Sequence, residues 1–263
     1  MLAIWEERGP IVTDAEGNSL VLREDHDRWT MLTLNRPDKL NALTVAMFAE
    51  LRADIEDLRV DDSIDCVILR GAGRCFSAGH DLADIATGEK VPSRGWHSET
   101  LRMLEKLPKP VIAAVHGHCY TGALEVALAA DFIVASDDAR FGDTHAKWAL
   151  TPVWGMSQRL PRRVGAATAK RLMFTADMFG ADEAVRIGLA EYAVPASEFD
   201  AHLSELAERI VANSVFSHAA NKRLIDITDG GQLDAGLQYE VTESPGRGPD
   251  YQERIAAFAN KGK

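Results

Sequence analysis

The spacing of apolar residues changes several times along this chain, and each change marks an element. "SLVLRED" (19–25) and "RWTMLTLN" (28–35) read as two strands separated by the polar "DHD". Pro37 and Asp38 break the pattern, and "TVAMFAELRADIEDLR" (44–59) then carries apolar residues at helical spacing. "DCVILRG" (65–71) and "VIAAVHG" (111–117) are short continuous apolar runs, the mark of strands buried on both faces. Between them lie a Gly-rich turn and the helical "SETLRMLEKL" (98–107), with Pro108 and Pro110 flanking the next transition. "TGALEVALAAD" (121–131) predicts a helix and "DFIVAS" (131–136) another strand. Strand, loop and helix thus alternate through the middle of the chain without an exact repeat, which predicts an α/β core.

From about Gly155 strands nearly stop. "SQRLPRRVG", "AATAKRLMFTA", "ADEAVRIGL", "EFDAHLSELAERIVANS", "FSHAANKRLID" and "YQERIAAFANKGK" all favour helix, and "EYAVP" alone looks extended. The C-terminal third therefore reads as a helical packing or assembly element.

Composition narrows the partners. With 29 Lys and Arg against 40 Asp and Glu, the formal net charge of −11 disfavours a general nucleic-acid or anionic-membrane binder. Cys66, Cys75 and Cys119 are odd in number and lack zinc spacing, the N-terminal "MLAIWEERGP" carries acids foreign to a secretory signal, and no apolar run spans a bilayer. A cytoplasmic protein with no metal site and no membrane partner is expected.

Three motifs fall short. "GAGRCF" has Phe76 where a dinucleotide fingerprint needs a small residue. "CFSAG" has Cys75 where a nucleophile elbow needs Gly, so Ser77 reads as a packing residue. "HGHC" groups His116, His118 and Cys119 without a second ligand cluster. "CFSAGHDL" and "HGHCYTGALE" are more informative together. Each leaves a strand and enters a helix, the first near Leu82 behind a capping Asp81, the second at Gly122. Amides at such starts lack intrahelical partners, and two of them can cradle an oxygen that becomes negative. Glu125 lies one turn beyond Gly122 in an otherwise apolar run. A buried carboxylate needs a partner or a task, and general acid/base work beside an oxyanion hole supplies one.

Five segments in order, "LTLNRPDKLNAL", "VILRGAGRCFSAGHDL", "KPVIAAVHGHCYTGALEVALAADFIVAS", "ARFGDTHAKWALTPVWGMSQRLPRRVG" and "AAFANKGK", resemble the enoyl-CoA hydratase/isomerase, or crotonase, superfamily over all but the residues before about Leu20. The resemblance implies an α/β spiral of ββα units through residue 195, with 1–19 a leader of unassigned role, and a helical trimerisation region over 196–263. Homotrimers, often paired as hexamers, follow from it. It places the oxyanion hole at the backbone N–H groups of His80 and Gly122; the family's glycine triplet has become Thr121, Gly122 and Ala123. Glu125 matches one of the two hydratase glutamates, and His145 stands where the second should be, in "FGDTHAKW". His145 is then either a second base or a pocket wall, and Asp143 either orients it or bonds locally.

For the substrate's coenzyme A, the resemblance points to Lys39, Ala42, Ala78, His80, Asp81 and Leu82, with Lys261 and Lys263 as a basic end reaching a neighbour's phosphates. Trp148 and Trp154, with Trp96 and His97, read either as packing residues or as walls for a bulky acyl group. The leading expectation is hydration of a 2-enoyl-CoA, with no cofactor because backbone dipoles activate the thioester. Enoyl-CoA isomerisation and CoA-dependent C–C hydrolysis are the enzymatic alternatives. A silent acyl-CoA-binding protein is the non-enzymatic one.

Overall fold

The computed structural model describes residues 19–229 and 231–261. Residues 1–18 of the proposed leader and Lys263 lie outside these residues, as does the side chain of Lys261. The first hairpin pairs β1 (Val21–Asp25) antiparallel with β2 (Trp29–Leu34). Helix α1 (Val45–Leu58) follows, its first turn capped by Thr44 Oγ1 accepting from Met47 N. Then come β3 (Cys66–Gly71), α2 (Leu82–Thr87), α3 (Trp96–Glu105), β4 (Val111–Val115), β5 (His118–Tyr120), α4 (Gly122–Ala127), β6 (Phe132–Ser136) and β7 (Arg140–Gly142). A 3-10 turn (His145–Trp148) leads to α5 (Met156–Val164), α6 (Ala166–Thr175), β8 (Phe179–Gly180), α7 (Ala181–Arg186) and β9 (Tyr192–Val194). Four helices close the chain: α8 (Phe199–Val211), α9 (Val215–Thr228), α10 (Leu233–Glu243) and α11 (Tyr251–Lys261).

The strands divide between a six-stranded sheet, β1-β2-β3-β4-β6-β9, and a three-stranded one, β5-β7-β8. From β2 to β9 the large sheet is parallel. β4 and β6 pair in it while their successors β5 and β7 pair in the small sheet. An isolated bridge from Ser77 to Cys119 continues the small sheet towards the loop after β3. Each ββ unit therefore advances one strand in both sheets at once, which is one turn of a spiral. The predicted ββα architecture is the one observed.

Continuous apolar runs form the central strands because both faces of the large sheet are covered. On β3, Val67 and Leu69 join the core with α1, α3 and α4, while Cys66 and Ile68 face the opposite cluster. Helix α8 seals that second face with Phe199, Leu203, Leu206 and Ala207. Burying each of the larger three contributes about 1.5–3 kcal/mol as an upper estimate. Although it lies beyond residue 195, α8 thus packs as part of the sheet's own core. Beyond it, Leu233 and Val241 of α10 stay 76% and 82% exposed. Among the described residues no helix is long and apolar enough to cross a membrane.

Four elements escape the sequence pattern: β5, β7, β8 and α10. The strands have only two or three residues, too few to show a period. The helix predicted over 121–131 is shorter than expected, since α4 ends at Ala127 and Asp131 instead accepts from Val111 N and pairs with Lys222.

Glu50, on the buried side of α1, ties the hairpin down. Its Oε2 accepts from Leu20 N, Val21 N and Ser19 Oγ at 2.7, 2.8 and 2.9 Å. Glu50→Ala leaves two buried amides without an acceptor, so the urea midpoint should fall by the equivalent of about 2 kcal/mol with little change in slope.

Candidate active site

The site begins where the chain turns from β5 into α4. Thr121 joins them with φ 52° and ψ −106°, a conformation that a β-branched residue adopts only under constraint. Three bonds hold it: its N–H donates to Gly142 O at 2.9 Å, its Oγ1 lies 2.6 Å from Thr144 Oγ1, and that Oγ1 accepts from Thr144 N. The strained turn is thereby fixed to the end of β7 and sets the direction of the next amide, that of Gly122.

The partner amide comes from the loop before α2. Leu43 bridges His80 in parallel fashion, donating to Gly79 O and accepting from Asp81 N, so the bridge consumes the groups on either side and leaves the His80 amide unspent. Gly79, at φ 104°, must be glycine: a Cβ would stand 2.6 Å from Tyr120 O. A Cβ on Gly122 would lie 3.2 Å from His80 N and 2.7 Å from the Trp154 ring. The two predicted amides are thus neighbours, and among the described bonds neither donates to a protein acceptor.

Glu125 projects from the next turn of α4 and is 2% exposed. Its Oε1 accepts from Trp154 N and Met156 N at 2.9 and 3.0 Å, which satisfies amides at the start of α5. Its Oε2 lies 3.9 Å from His145 Nε2, within reach of one shared water. Burial raises the carboxyl to about 6, against the lowering pull of the Met156 amide, His145 and the Trp154 amide.

His145 heads the 3-10 turn. Asp143 Oδ1 accepts from its backbone N at 3.2 Å and lies 2.6 Å from its Nδ1. A carboxylate only accepts, so Nδ1 carries a proton and Nε2 faces Glu125. Burial works against the imidazolium, but the Asp143 hydrogen bond and the charges of Asp143 and Glu125 outweigh it and raise His145 above its ordinary value. Asp143 is 1% exposed and its Oδ2 has no partner.

These groups open on a cavity of about 500 Å³ lined by Glu125, His145, Gly122, His80 and Glu89, with Ile85, Leu150, Val153 and Trp154 adding apolar surface. Of the two tryptophans read as packing residues or acyl walls, Trp154 lines the cavity, whereas Trp148, the one assigned to substrate, is 60% exposed and outside this lining. Glu89 is a wall residue that no motif announced; it follows the Gly88 cap of α2.

The segments expected to carry coenzyme A meet beside the site. Ala78 N donates to Leu40 O, and Arg36 Nη1 donates to Ala42 O at 2.6 Å and to Asp81 Oδ2 at 3.1 Å. Asp81 also caps α2 through Ala83 N, so its carboxylate is spoken for. Lys39 and Leu82 are exposed on the same two segments. A second hollow of about 460 Å³, rimmed by paired ions such as Arg159–Glu105 and Lys222–Asp131, holds none of the predicted site residues. The near-miss motifs are structural here. Ser77 Oγ donates to Asn41 O at 2.7 Å, His116 Nε2 lies 3.0 Å from Gly73 O, and His118 stacks on Tyr120. Among the described residues no three His, Cys, Asp or Glu side chains converge as a metal site.

Comparison with known proteins finds relatives over most of the chain. The family model described as enoyl-CoA hydratase/isomerase matches residues 27–263. The short-chain-enoyl-CoA hydratase of Clostridium acetobutylicum is 36% identical over 94% of this chain and 97% of its own. The 1,2-epoxyphenylacetyl-CoA isomerase of Escherichia coli is 33% identical over 88% and 91%. The crystal structure of an enoyl-CoA hydratase from Bacillus anthracis superposes with a TM-score of 0.88 at 32% identity, covering 92% of this chain and 97% of that one.

The ion relay makes a direct prediction. In an NMR titration His145 should protonate above the ordinary histidine range, and Asp143→Asn should bring its midpoint down. An unshifted midpoint in the variant would remove Asp143 as the cause.

Proposed function

The chain belongs to the enoyl-CoA hydratase/isomerase family, and on that premise we propose that this cavity adds water across the double bond of a 2-enoyl-CoA, with His145 as the acid and Glu125 as the base. The observation that carries this reading is the 3.9 Å approach of Glu125 Oε2 to His145 Nε2 beside the free amides of His80 and Gly122. The thioester oxygen accepts from both amides. As water attacks C3, the C2=C3 electron pair moves through the thioester and leaves the oxygen as an enolate, where two preorganised dipoles stabilise it. Glu125 takes the proton that the attacking water loses. The enolate collapses, and C2 takes a proton from His145 Nε2. Glu125 then returns its proton to His145, so the atoms added are those of one water.

The charge pattern supports this division of labour. Asp143 and Glu125 favour the imidazolium, and the Glu125 carboxyl, at about 6, is ionised near neutral pH. A histidine in place of a second glutamate can therefore deliver the proton as a cation. Lys39 and the paired segments around Ala42 and Ala78–Leu82 hold the coenzyme A end in this reading. The exposed apolar residues of α10 serve as trimer contacts, and no cofactor enters the scheme. The isomerase relative points to a second reading, in which Glu125 alone moves a proton between substrate carbons.

Loss of conjugated-thioester absorbance with trans-2-enoyl-CoA, with product mass increased by one water, is the test. Glu125→Gln should lower kcat by roughly 10²–10⁴-fold with acyl-CoA binding retained, and His145→Gln should do the same. An unaltered rate in Glu125→Gln overturns the scheme, and double-bond migration that survives His145→Gln selects the isomerase reading. Wild-type kcat should fall as pH drops through about 6, where Glu125 gains its proton, and fall again above the raised value of His145, where the acid is lost. Gly122→Ala, whose Cβ would press on Trp154 and crowd His80 N, should cost roughly 10²–10³-fold in kcat.

A further inference from the structure

The cavity wall holds a second carboxylate that the hydration scheme leaves idle. Glu89 lies just past the Gly88 cap of α2 and lines the cavity, its side chain 17% exposed. One oxygen is spent: Oε2 stands 3.0 Å from His80 Nε2. The other accepts no hydrogen bond among the described contacts: His97 Nδ1 is 3.8 Å from Oε1, beyond hydrogen-bonding distance. His97 cannot readily close that gap. Its ring is buried against Trp154 and Phe48, with centroids 4.7 and 4.6 Å away, and its Nε2 has no partner. Burial lowers its proton affinity more than Glu89 raises it, so it remains neutral near pH 7. The cavity thus combines apolar walls at Ile85, Leu150 and Val153 with one unfilled anionic acceptor.

We propose that Glu89 is a specificity-determining residue that selects CoA thioesters whose acyl group carries a hydroxyl or N–H donor over the unsubstituted alkyl analogues. This rests on the acyl-CoA reading above. A carboxylate accepts and never donates. A plain alkyl chain laid over Oε1 strips it of water and returns nothing, whereas a donor on the acyl group replaces the lost hydrogen bond. An acyl group ending in its own carboxylate meets like charge. The same residue holds the ring of His80, whose amide serves the oxyanion hole, so recognition of the acyl group and activation of the thioester share one side chain.

Saturated thioesters cannot be hydrated, so they test recognition apart from chemistry. Butanoyl-, hexanoyl- and phenylpropanoyl-CoA, each with and without a terminal or para hydroxyl, would be titrated calorimetrically into the full-length protein. In at least one pair the hydroxylated ester should bind about 10-fold more tightly, the lower end for a hydrogen bond to a charged acceptor. That ratio should collapse towards one in Glu89→Ala, with Glu89→Gln as a second variant and circular dichroism confirming the fold of both. Equal binding within every wild-type pair overturns the proposal, as does a preference that survives both variants. If no thioester binds at all, the acyl-CoA reading itself falls. If they bind without hydroxyl preference, only the role of Glu89 does.

Discussion

A carboxylate sunk in an apolar helix is the constraint from which the rest of the site follows. Glu125 lies among residues that are almost fully excluded from solvent, and an unpartnered charge there would cost several kcal/mol. The fold supplies partners asymmetrically. Two amides at the entry to α5 satisfy Oε1, while Oε2 is left towards His145 and the cavity. The same contact joins α4, the end of the spiral turn, to the helices that follow. Burial keeps the proton affinity high, the two amides keep the side chain in one place, and the remaining oxygen is free for chemistry.

Backbone geometry does a comparable task for the two free amides. The His80 and Gly122 amides come from segments more than forty residues apart, and they meet because Gly79 lets one loop touch Tyr120 O while Thr121 holds a strained turn. Strain at Thr121 costs on the order of 1–3 kcal/mol and is offset by its bonds to Gly142 and Thr144. The small sheet is what holds those bonds in register, since β5 pairs with β7 immediately before both segments reach the site. Two free N–H groups facing one space are thus a product of the spiral, not of either loop alone.

A carboxylate facing an imidazole gives this site different electrostatics from a pair of carboxylates. Two carboxylates side by side raise each other's proton affinity. Here a carboxylate and an imidazole stabilise each other's charge, and buried Asp143 tips the pair towards imidazolium. Asp143 is thereby a positioning residue, fixing the tautomer and direction of the ring through a 2.6 Å contact.

Much of this was written in the sequence. Continuous apolar runs at β3, β4 and β6 specified a sheet covered on both faces, helical spacing specified α1 and α8, and Gly122 followed by Glu125 placed an amide and a carboxylate one turn apart on any helix. Local periodicity determines such features because the side chains that show it lie within one element. What only the tertiary structure decided are contacts between distant segments: the amides of Trp154 and Met156 on Glu125, the approach of His80 to Gly122, the turning of Trp148 outward and Trp154 inward, and the presence of Glu89 in the cavity wall. Short strands such as β5 and β7 carry too few residues to declare themselves, and the wall of a cavity has no period along the chain. Those features arise when the spiral closes and burial makes each polar group find a partner.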